Sequence, residues 1–170
     1  ISMLAEGLDA ELQTHCEEIR TAAESTTDLT RTIRDLVEGV FVDTEDLGVV
    51  DLAAVVREET LLVRNRYDRS TVVLEEVDTN VFVLGNETRG SVVHNLLTNA
   101  IEHNDTAEPT VEVTLDSGPE TARLSVADDG PGISDDQKKQ VLQKGKKGLD
   151  SDGTGLGLYL VRSLTEQYGG

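Results

Sequence analysis

The stretch SVADDGPGISDDQ, residues 125–137, decides the fold because it carries the chain from an alternating strand into a glycine turn rich in carboxylates. Before the turn, apolar residues alternate with polar ones at Ala122, Leu124 and Val126, which predicts a half-buried strand. The segment TVEVTL, residues 110–115, alternates in the same way, and DSGPE joins the two, so we predict antiparallel neighbours. Asp128 ends the second strand, where ligand crevices form, although Asp-Gly and Pro-Gly also mark ordinary turns.

A second glycine-rich segment, DGTGLGLYL at residues 152–160, is predicted to open the last helix. Its backbone N–H groups can hold a phosphate at the positive end of the helix dipole. A P-loop is excluded because Leu158 follows Gly157, and a dinucleotide fingerprint is excluded because a charged loop precedes the glycines. That loop holds all five lysines of the chain, which favours an anionic ligand over a solvated charge run.

A helix is predicted over residues 87–103, with Asn86 as its N-cap. One side of this helix is apolar: Val92, Val93, Leu96, Leu97, Ala100 and Ile101. Asn95, Asn99 and Glu102 share the other side, which is either a solvated face or a ligand site. Asparagine is a poor helix former, and its amide oxygen suits magnesium, so the pattern favours the ligand site.

The polar segment VDTEDLG, residues 42–48, ends in glycine and is predicted to separate two domains, residues 1–46 and 47–170. The second domain begins with a short strand and a helix in VVDLAAVVREETLLVRNRY. Two strands, TVVLEEV and NVFVLG, follow and are predicted to form a hairpin through Asp78-Thr79. The order of elements predicts a mixed α/β layer structure with helices on one face of the sheet.

The first domain carries residues three and four positions apart that form a heptad seam: Ile19, Ala22, Thr26, Leu29, Ile33, Leu36 and Val40. The polar stretch around Gln13 and Thr14 either separates two helices or lies within one bent helix. We predict a helical hairpin whose exposed seam pairs with a second copy into a four-helix bundle. Packing of the hairpin on its own globular domain is the alternative.

The chain has 33 acidic and 15 basic residues, and its net charge of −18 argues against nucleic acid as a partner. Acidic residues spread over every segment favour a protein of a salt-rich cytoplasm over an ordinary acidic one. No apolar run is long enough to span a bilayer, so we expect no membrane contact by this segment. The single cysteine, Cys16, has no disulfide partner, and a cytoplasmic location is predicted, although the full-length protein can still be membrane-associated.

The segments HNLLTNAIEHN, DDGPGI and DGTGLGLYLV, in this order, resemble the asparagine box and two glycine boxes of sensor histidine kinases. These kinases belong to the ATPase superfamily that includes gyrase, Hsp90 and MutL. The resemblance covers residues 47–170. The acidic composition and segments such as AIEHND and VADDGPGI are most similar to haloarchaeal members of the family. It implies an α+β fold: a two-layer α/β sandwich of the Bergerat type with a mixed sheet, preceded by the dimerisation hairpin.

The resemblance also implies the site and its ligands, ATP and Mg²⁺. Asn99 would hold magnesium, Asn95 would lie beside the phosphates, and Asp128 would bind the adenine amine, with Asn95, Asn99 and Glu102 as the catalytic set. Residues 133–153 would form a mobile lid. The full cofactor-binding set comprises Asn95, Asn99, His103, Asn104, Asp128, Gly130, Gly132, Ile133, Lys144, Gly145, Lys147, Gly153, Thr154, Gly155, Leu156, Gly157 and Leu158.

Two departures from the family pattern stand out. Leu142 occupies a lid position that is often phenylalanine, so lid packing is expected to differ. The phosphoacceptor histidine box is missing: the surroundings of His15 do not match it, and His94 is expected to be structural. We therefore expect a fragment that lacks the box before Ile1 and the final strands after Gly170, and that cannot autophosphorylate alone.

The predicted function is the ATP-binding catalytic portion of a sensor histidine kinase. It would phosphorylate a histidine of its dimerisation domain for relay to the receiver domain of a response regulator, and it would form a homodimer through the hairpin. The alternatives are an ATP-binding regulatory module or serine kinase of the same superfamily without a phosphohistidine, and a non-catalytic nucleotide sensor. The heptad segment upstream favours the first hypothesis.

Overall fold

The computed structural model describes residues 2–41, 47–86, 88–134, 138 and 156–170. The chain divides into two compact units, residues 1–34 and 35–170. This division falls within the first helix, whereas the sequence places the boundary after residue 46. The segment of that predicted boundary, residues 42–46, lies outside the described residues, and the domain assignment stays a prediction.

The N-terminal region forms one helix, α1 (Ser2–Phe41), and the predicted hairpin is therefore wrong in this structure. No glycine or proline lies between residues 8 and 38 to break the helix, so the second possibility, a single helix, applies. Threonine hydroxyls inside it donate to carbonyls one turn earlier, as from Thr26 to Ala22 and from Thr30 to Thr26. The apolar side chains of Leu12, Ile19 and Ile33 are exposed.

Among the residues that the structure describes, the second unit has five strands in two sheets. The strands are β1 (Gly48–Asp51), β2 (Thr71–Val77), β3 (Phe82–Gly85), β4 (Thr110–Ser117) and β5 (Ala122–Asp128). β1 and β3 form an antiparallel pair, and the other sheet has the order β2-β4-β5. In that sheet β2 is parallel to β4, while β4 and β5 are antiparallel, which confirms the predicted pairing of the last two strands.

The predicted hairpin of TVVLEEV with NVFVLG is wrong, because β2 and β3 belong to different sheets. The reason lies at the end of β2. The backbone N–H of Asp78 donates to Leu115 O over 2.9 Å, and the Asp78 carboxylate accepts the N–H and the hydroxyl of Ser117, each over 2.8 Å. These bonds fix β2 to β4. Asn80 then adopts a φ of 58°, in the left-handed region, and the chain leaves toward β1.

The described part of the second unit also contains the helices α2 (Leu52–Arg66), α3 (Arg89–Glu102) and α4 (Gly157–Gln167). The N-cap of α3 is Thr88, so the predicted cap at Asn86 is wrong by two residues. Asn86 Oδ1 instead accepts the Thr88 N–H over 3.1 Å, and its carbonyl accepts the Arg89 N–H over 3.2 Å, which makes a turn before the helix.

The core forms where α2 and α3 meet the strands, and it agrees with the apolar patterns of both elements. Val111, Val113 and Leu115 of β4 are fully buried, and Val93 and Leu97 of α3 are buried too. The position of the core bears on the site, because Leu97 is fully buried whereas Asn95 and Asn99 of the same helix are only half-buried. In the part of the chain that the structure describes, no helix combines the length and apolar content needed to cross a membrane.

Candidate functional site

The polar face of α3 presents two amide oxygens. Asn95 Nδ2 donates to Ser91 O over 2.7 Å, and Asn99 Nδ2 donates to Asn95 O. Each amide nitrogen is therefore engaged one turn back along the helix, which leaves the amide oxygens available to a ligand. A neutral oxygen ligand of this kind suits Mg²⁺, which takes few protein oxygens and completes its shell with water and phosphate. The donor set at Asn99 thus fits the metal that the sequence predicts.

The first turn of α4 lies directly against these two amides. A β-carbon placed on Gly157 would lie 2.6 Å from Asn95 Oδ1 and 3.4 Å from Asn99 Nδ2, so only glycine fits there without displacing Asn95. Leu156 and Leu158, also predicted to bind the ligand, flank it and are half-buried. The positive end of a helix dipole therefore lies beside the Asn95 amide oxygen and the Asn99 amide, an arrangement that places a favourable position for phosphate next to a possible metal ligand.

The glycine turn after β5 is held by Asp128. Asp128 Oδ1 accepts the Gly130 N–H over 2.9 Å, and a β-carbon on Gly130 would lie 2.7 Å from that same oxygen. The Asp128 side chain is exposed, and its second oxygen is available to accept a hydrogen bond from a ligand. Gly132 has a φ of 72°, which a residue with a β-carbon rarely adopts, and Ile133 beyond it is 47% exposed.

Asn104 and Asp129 brace this turn from the side. Asp129 Oδ1 accepts the Thr110 N–H over 3.0 Å and Asn104 Nδ2 over 2.7 Å. The Thr110 N–H, followed by the Asn104 amide, lowers the pKa of Asp129 below the ordinary 3.8. Asn104 also accepts the Thr106 N–H over 2.9 Å, so both ends of its amide are engaged within the protein.

The remaining predicted residues lie at the C-terminal end of α3 or outside the described residues. The Glu102 carboxylate is exposed and accepts the Tyr67 hydroxyl. His103 is exposed and ends the helix, its N–H donating to Asn99 O over 3.2 Å. Six predicted ligand-binding residues lie outside the described residues, as do most of the predicted lid and Leu142: Lys144, Gly145, Lys147, Gly153, Thr154 and Gly155.

Two features escaped the sequence analysis. Behind the asparagine face, His94 Nδ1 lies 3.1 Å from Glu59 Oε2, with side-chain exposures of 13% and 8%. This contact agrees with the structural role expected for His94. Glu59 lies on the apolar side of α2, four residues from both Val55 and Val63. A charged residue at this position of the helical pattern was the feature of the sequence that could have predicted a buried polar contact. The second feature is a polar cluster of Asn86, Thr88 and Tyr168, whose members are up to 82 residues apart.

A cavity of about 450 Å³ opens elsewhere, beside β1 and the first turns of α2 and α3. Gly48, Asp51, Glu58, Asn86 and Arg89 are among its lining residues. Of the predicted nucleotide-binding residues that the structure describes, none lines it. The geometry around Asn95, Asn99 and Gly157, with its convergent polar groups, is the better candidate for chemistry.

Part of this chain is similar to a known protein family. Residues 87–170 match the family model described as "Histidine kinase-, DNA gyrase B-, and HSP90-like ATPase". The chain carries a histidine kinase catalytic domain. The matched residues of this ATPase domain include α3, the glycine turn and α4, together with every described residue that is predicted to bind the nucleotide.

Curated relatives of the ATPase domain are sensor kinases. The sensor histidine kinase AruS of Pseudomonas aeruginosa is 38% identical over 87 residues, which cover 46% of this chain and 9% of AruS. The C4-dicarboxylate transport sensor protein DctB of Rhizobium meliloti is 29% identical over 165 residues, covering 88% of this chain and 26% of DctB. The chain thus spans between about a tenth and a quarter of the length of these relatives.

Solved structures give the same result for the fold. The mycobacterial sensor histidine kinase MprB is similar with a TM-score of 0.64 and 27% identity, over 72% of this chain and 80% of the MprB chain. The catalytic domain of histidine kinase ThkA gives a TM-score of 0.63 with 25% identity, over 72% of this chain and 81% of that chain. The α+β fold with a mixed sheet is therefore that of histidine kinase catalytic domains.

Proposed function

We propose that residues 47–170 bind Mg·ATP and form the catalytic portion of a sensor histidine kinase. The kinase would transfer the γ-phosphoryl group to a histidine of its dimerisation region, for relay to the receiver domain of a response regulator. The observation that supports the proposal is the close approach of Gly157 to Asn95 Oδ1 and Asn99 Nδ2, which sets both asparagine amides beside the start of α4. The relatives are sensor histidine kinases, which favours this function over a serine kinase or a passive regulatory module.

The proposed roles follow from what each group can donate or accept. Asn99 Oδ1 would hold Mg²⁺, which, when bound, neutralises charge on the phosphates. Asn95 and the first turn of α4 would orient the phosphate chain. At the other end, the second oxygen of Asp128 would accept a hydrogen bond from the exocyclic amine of adenine. Glu102, held by Tyr67 at the C-terminal end of α3, remains a proposed catalytic residue, and the predicted lid residues remain proposed ATP contacts.

The metal assignment can be tested with matched asparagines. Asn99→Ala should abolish magnesium-dependent ATP binding in calorimetric titration, because the amide oxygen is lost. Asn65→Ala, an exposed asparagine on α2, should bind ATP like the wild type. Circular dichroism of both variants checks that the fold is retained. Equal affinities of the two variants for Mg·ATP would contradict the role of Asn99.

The reaction class can be read from the chemistry of the product. With labelled ATP, a full-length kinase that contains this domain should acquire phosphate that is stable in alkali and lost in acid, as expected of a phosphohistidine. Label that survives acid and is lost in alkali would support the serine kinase instead. The same assay run with Asn99→Ala should show no label.

Dimerisation is proposed through α1, whose exposed apolar residues Ile19 and Ile33 lie fourteen positions, or two heptads, apart. A second copy of α1 is the natural partner for such a stripe. Ile33→Asp should yield monomers in light scattering, whereas Arg34→Asp, one residue away on the exposed surface, should leave the mass unchanged. A dimer mass for Ile33→Asp would contradict this interface.

Adaptation to high salt is proposed from the charge. A net charge of −18 on 170 residues makes the surface repel itself, and salt screens that repulsion. The melting temperature should rise between 0.1 and 2 M KCl. A melting temperature that is flat or falls over that range would favour an ordinary acidic protein.

A further inference from the structure

The cluster of Asn86, Thr88 and Tyr168 joins the last residues of the chain to the start of α3. The Tyr168 hydroxyl donates to Asn86 Oδ1 over 2.6 Å, and the Thr88 hydroxyl donates to the same oxygen over 2.7 Å. The two hydroxyl oxygens are 2.9 Å apart. Thr88 is buried, at 3% exposure, so this contact is well shielded from water.

α4 is thereby fixed at both ends along α3. Its first residue, Gly157, meets Asn95, while Tyr168, one residue after its end, meets Thr88, seven positions before Asn95. The two helices therefore run antiparallel. An eleven-residue helix is roughly 16 Å long. A shift of α4 at the Tyr168 end is thus transmitted along a short rigid element to the Gly157 end.

Between the two ends the buried side chains of α4 are apolar. Leu160 and Leu164 are the buried residues of α4, and apolar contacts fix burial better than axial position. The Tyr168 hydroxyl is a directional contact, because a hydrogen bond constrains both distance and angle. Of the described contacts between the two helices, the polar cluster is the one suited to set how far α4 slides along α3.

We propose that Tyr168 is a positioning residue for the phosphate end of the nucleotide site. By holding α4 in register with α3, its hydroxyl keeps Gly157 against Asn95 and Asn99. This inference rests on the proposed function, in which those groups meet the phosphates and magnesium. Tyr168 is not expected to affect adenine binding, because Asp128 and Gly130 lie on the turn after β5 and have no described contact with this cluster.

The test compares two tyrosines whose hydroxyls reach α3 or its N-cap from different elements. Tyr168→Phe removes the contact between α4 and the start of α3. Tyr67→Phe removes the contact from the residue after α2 to Glu102, at the opposite end of α3. Calorimetric titrations with Mg·ATP and with adenosine measure the whole site and its adenine end separately. Tyr168→Phe should weaken Mg·ATP binding about fivefold, the range of one hydrogen bond, and leave adenosine binding unchanged.

A conservative variant separates positioning from bulk packing. Asn86→Asp keeps an oxygen that accepts from Tyr168 and Thr88, so it should retain the ratio of the two affinities. Asn86→Ala removes the shared acceptor and should change the ratio in the same direction as Tyr168→Phe. In Tyr168→Phe the Thr88 hydroxyl still reaches Asn86, so no buried hydroxyl loses all its partners and the variant should fold.

A readout without nucleotide completes the test. Hydrogen exchange of the Leu160 amide, which donates to Leu156 O over 2.8 Å in the first turn of α4, should be faster in Tyr168→Phe than in Tyr67→Phe. Equal loss of ATP and adenosine binding in Tyr168→Phe, or an equal effect in Tyr67→Phe, would overturn the positioning role. Failure of the wild type to bind either ligand would contradict the proposed function, and the exchange rates would then still decide whether Tyr168 positions α4.

Discussion

The two ends of the candidate site are built differently. The proposed adenine end is local: Asp128, Gly130 and Asp129 lie within three residues, and a neighbouring strand end and Asn104 brace them. The proposed phosphate end is tertiary, since Asn95 and Gly157 are brought together only where α4 packs on α3. From this difference we expect that substitutions in the glycine turn weaken the binding of every adenine ligand. Substitutions that disturb the packing of α4 on α3 should weaken the binding only of ligands that carry phosphates.

The largest expected effect comes from Leu164→Ala. Leu164 is 1% exposed, and loss of a buried leucine costs about 2–5 kcal/mol of unfolding free energy. Because α4 loses its packing on α3, Mg·ATP binding should fall more than adenosine binding. Leu62→Ala on α2, where Leu62 is 49% exposed, should change the unfolding free energy by less than about 0.5 kcal/mol in urea titrations. Similar costs for the two variants would break the comparison.

Gly157→Ala should come next. Its β-carbon would meet Asn95 Oδ1 at 2.6 Å, so α4 or the amide must shift. We expect roughly tenfold weaker Mg·ATP binding, about 1.4 kcal/mol, with adenosine binding retained. Gly48→Ala is the control, because a β-carbon there meets no atom within 4 Å. Unchanged Mg·ATP affinity in Gly157→Ala would show that the amides do not need this contact.

Gly130→Ala is the counterpart at the adenine end. Its β-carbon would approach Asp128 Oδ1 to 2.7 Å and Asn104 Cγ to 3.2 Å, which displaces the carboxylate. Adenosine and Mg·ATP should both bind about threefold more weakly, since a disturbed hydrogen bond is worth on the order of 0.5–1.5 kcal/mol. If only Mg·ATP binding weakened, the assignment of adenine to this turn would be wrong.

The smallest effect concerns the titration of Asp129. The pKa of Asp129 lies below the ordinary 3.8, so the ionised carboxylate stabilises the folded protein above about pH 3.8. This stabilisation is lost as the pH falls through the lower pKa of the folded state. Asn104→Ala should raise the pKa of Asp129 only part of the way back, because the Thr110 N–H remains. Carbon chemical shifts of the Asp129 carboxyl, followed below pH 5, measure it. A pKa that does not move would mean that Asn104 contributes nothing to the turn.

Local patterns predicted the parts of the fold that local forces determine. Alternation found β4 and β5, helical spacing found the face of Asn95 and Asn99, and the glycine motifs marked the two ends of the site. These features follow from the periods of strands and helices and from turn chemistry, which a single sequence displays. The structure adds why residue 157 must be glycine: a β-carbon there would lie too close to Asn95 Oδ1, which the sequence alone did not show.

Contacts between residues far apart in the chain could not be predicted from local sequence patterns. The hairpin predicted at Asp78 failed because Asp78 bonds Ser117, 39 positions away, and so commits β2 to β4. The bond of Tyr168 to Asn86 spans 82 positions and had no local signal either. In α1 the error was of another kind: of the two possibilities left open by the polar stretch at Gln13 and Thr14, we predicted the hairpin, although the stretch contains no residue that breaks a helix.

Calorimetric titration of the wild-type chain with ATP, with and without magnesium in molar KCl, tests the central claim most directly. The account predicts binding that requires magnesium, because Asn99 contributes one neutral oxygen and relies on the metal to hold the phosphates. Adenosine should bind equally with and without magnesium. ATP affinity that does not depend on magnesium, or no binding by folded protein, would contradict the assignment of the site.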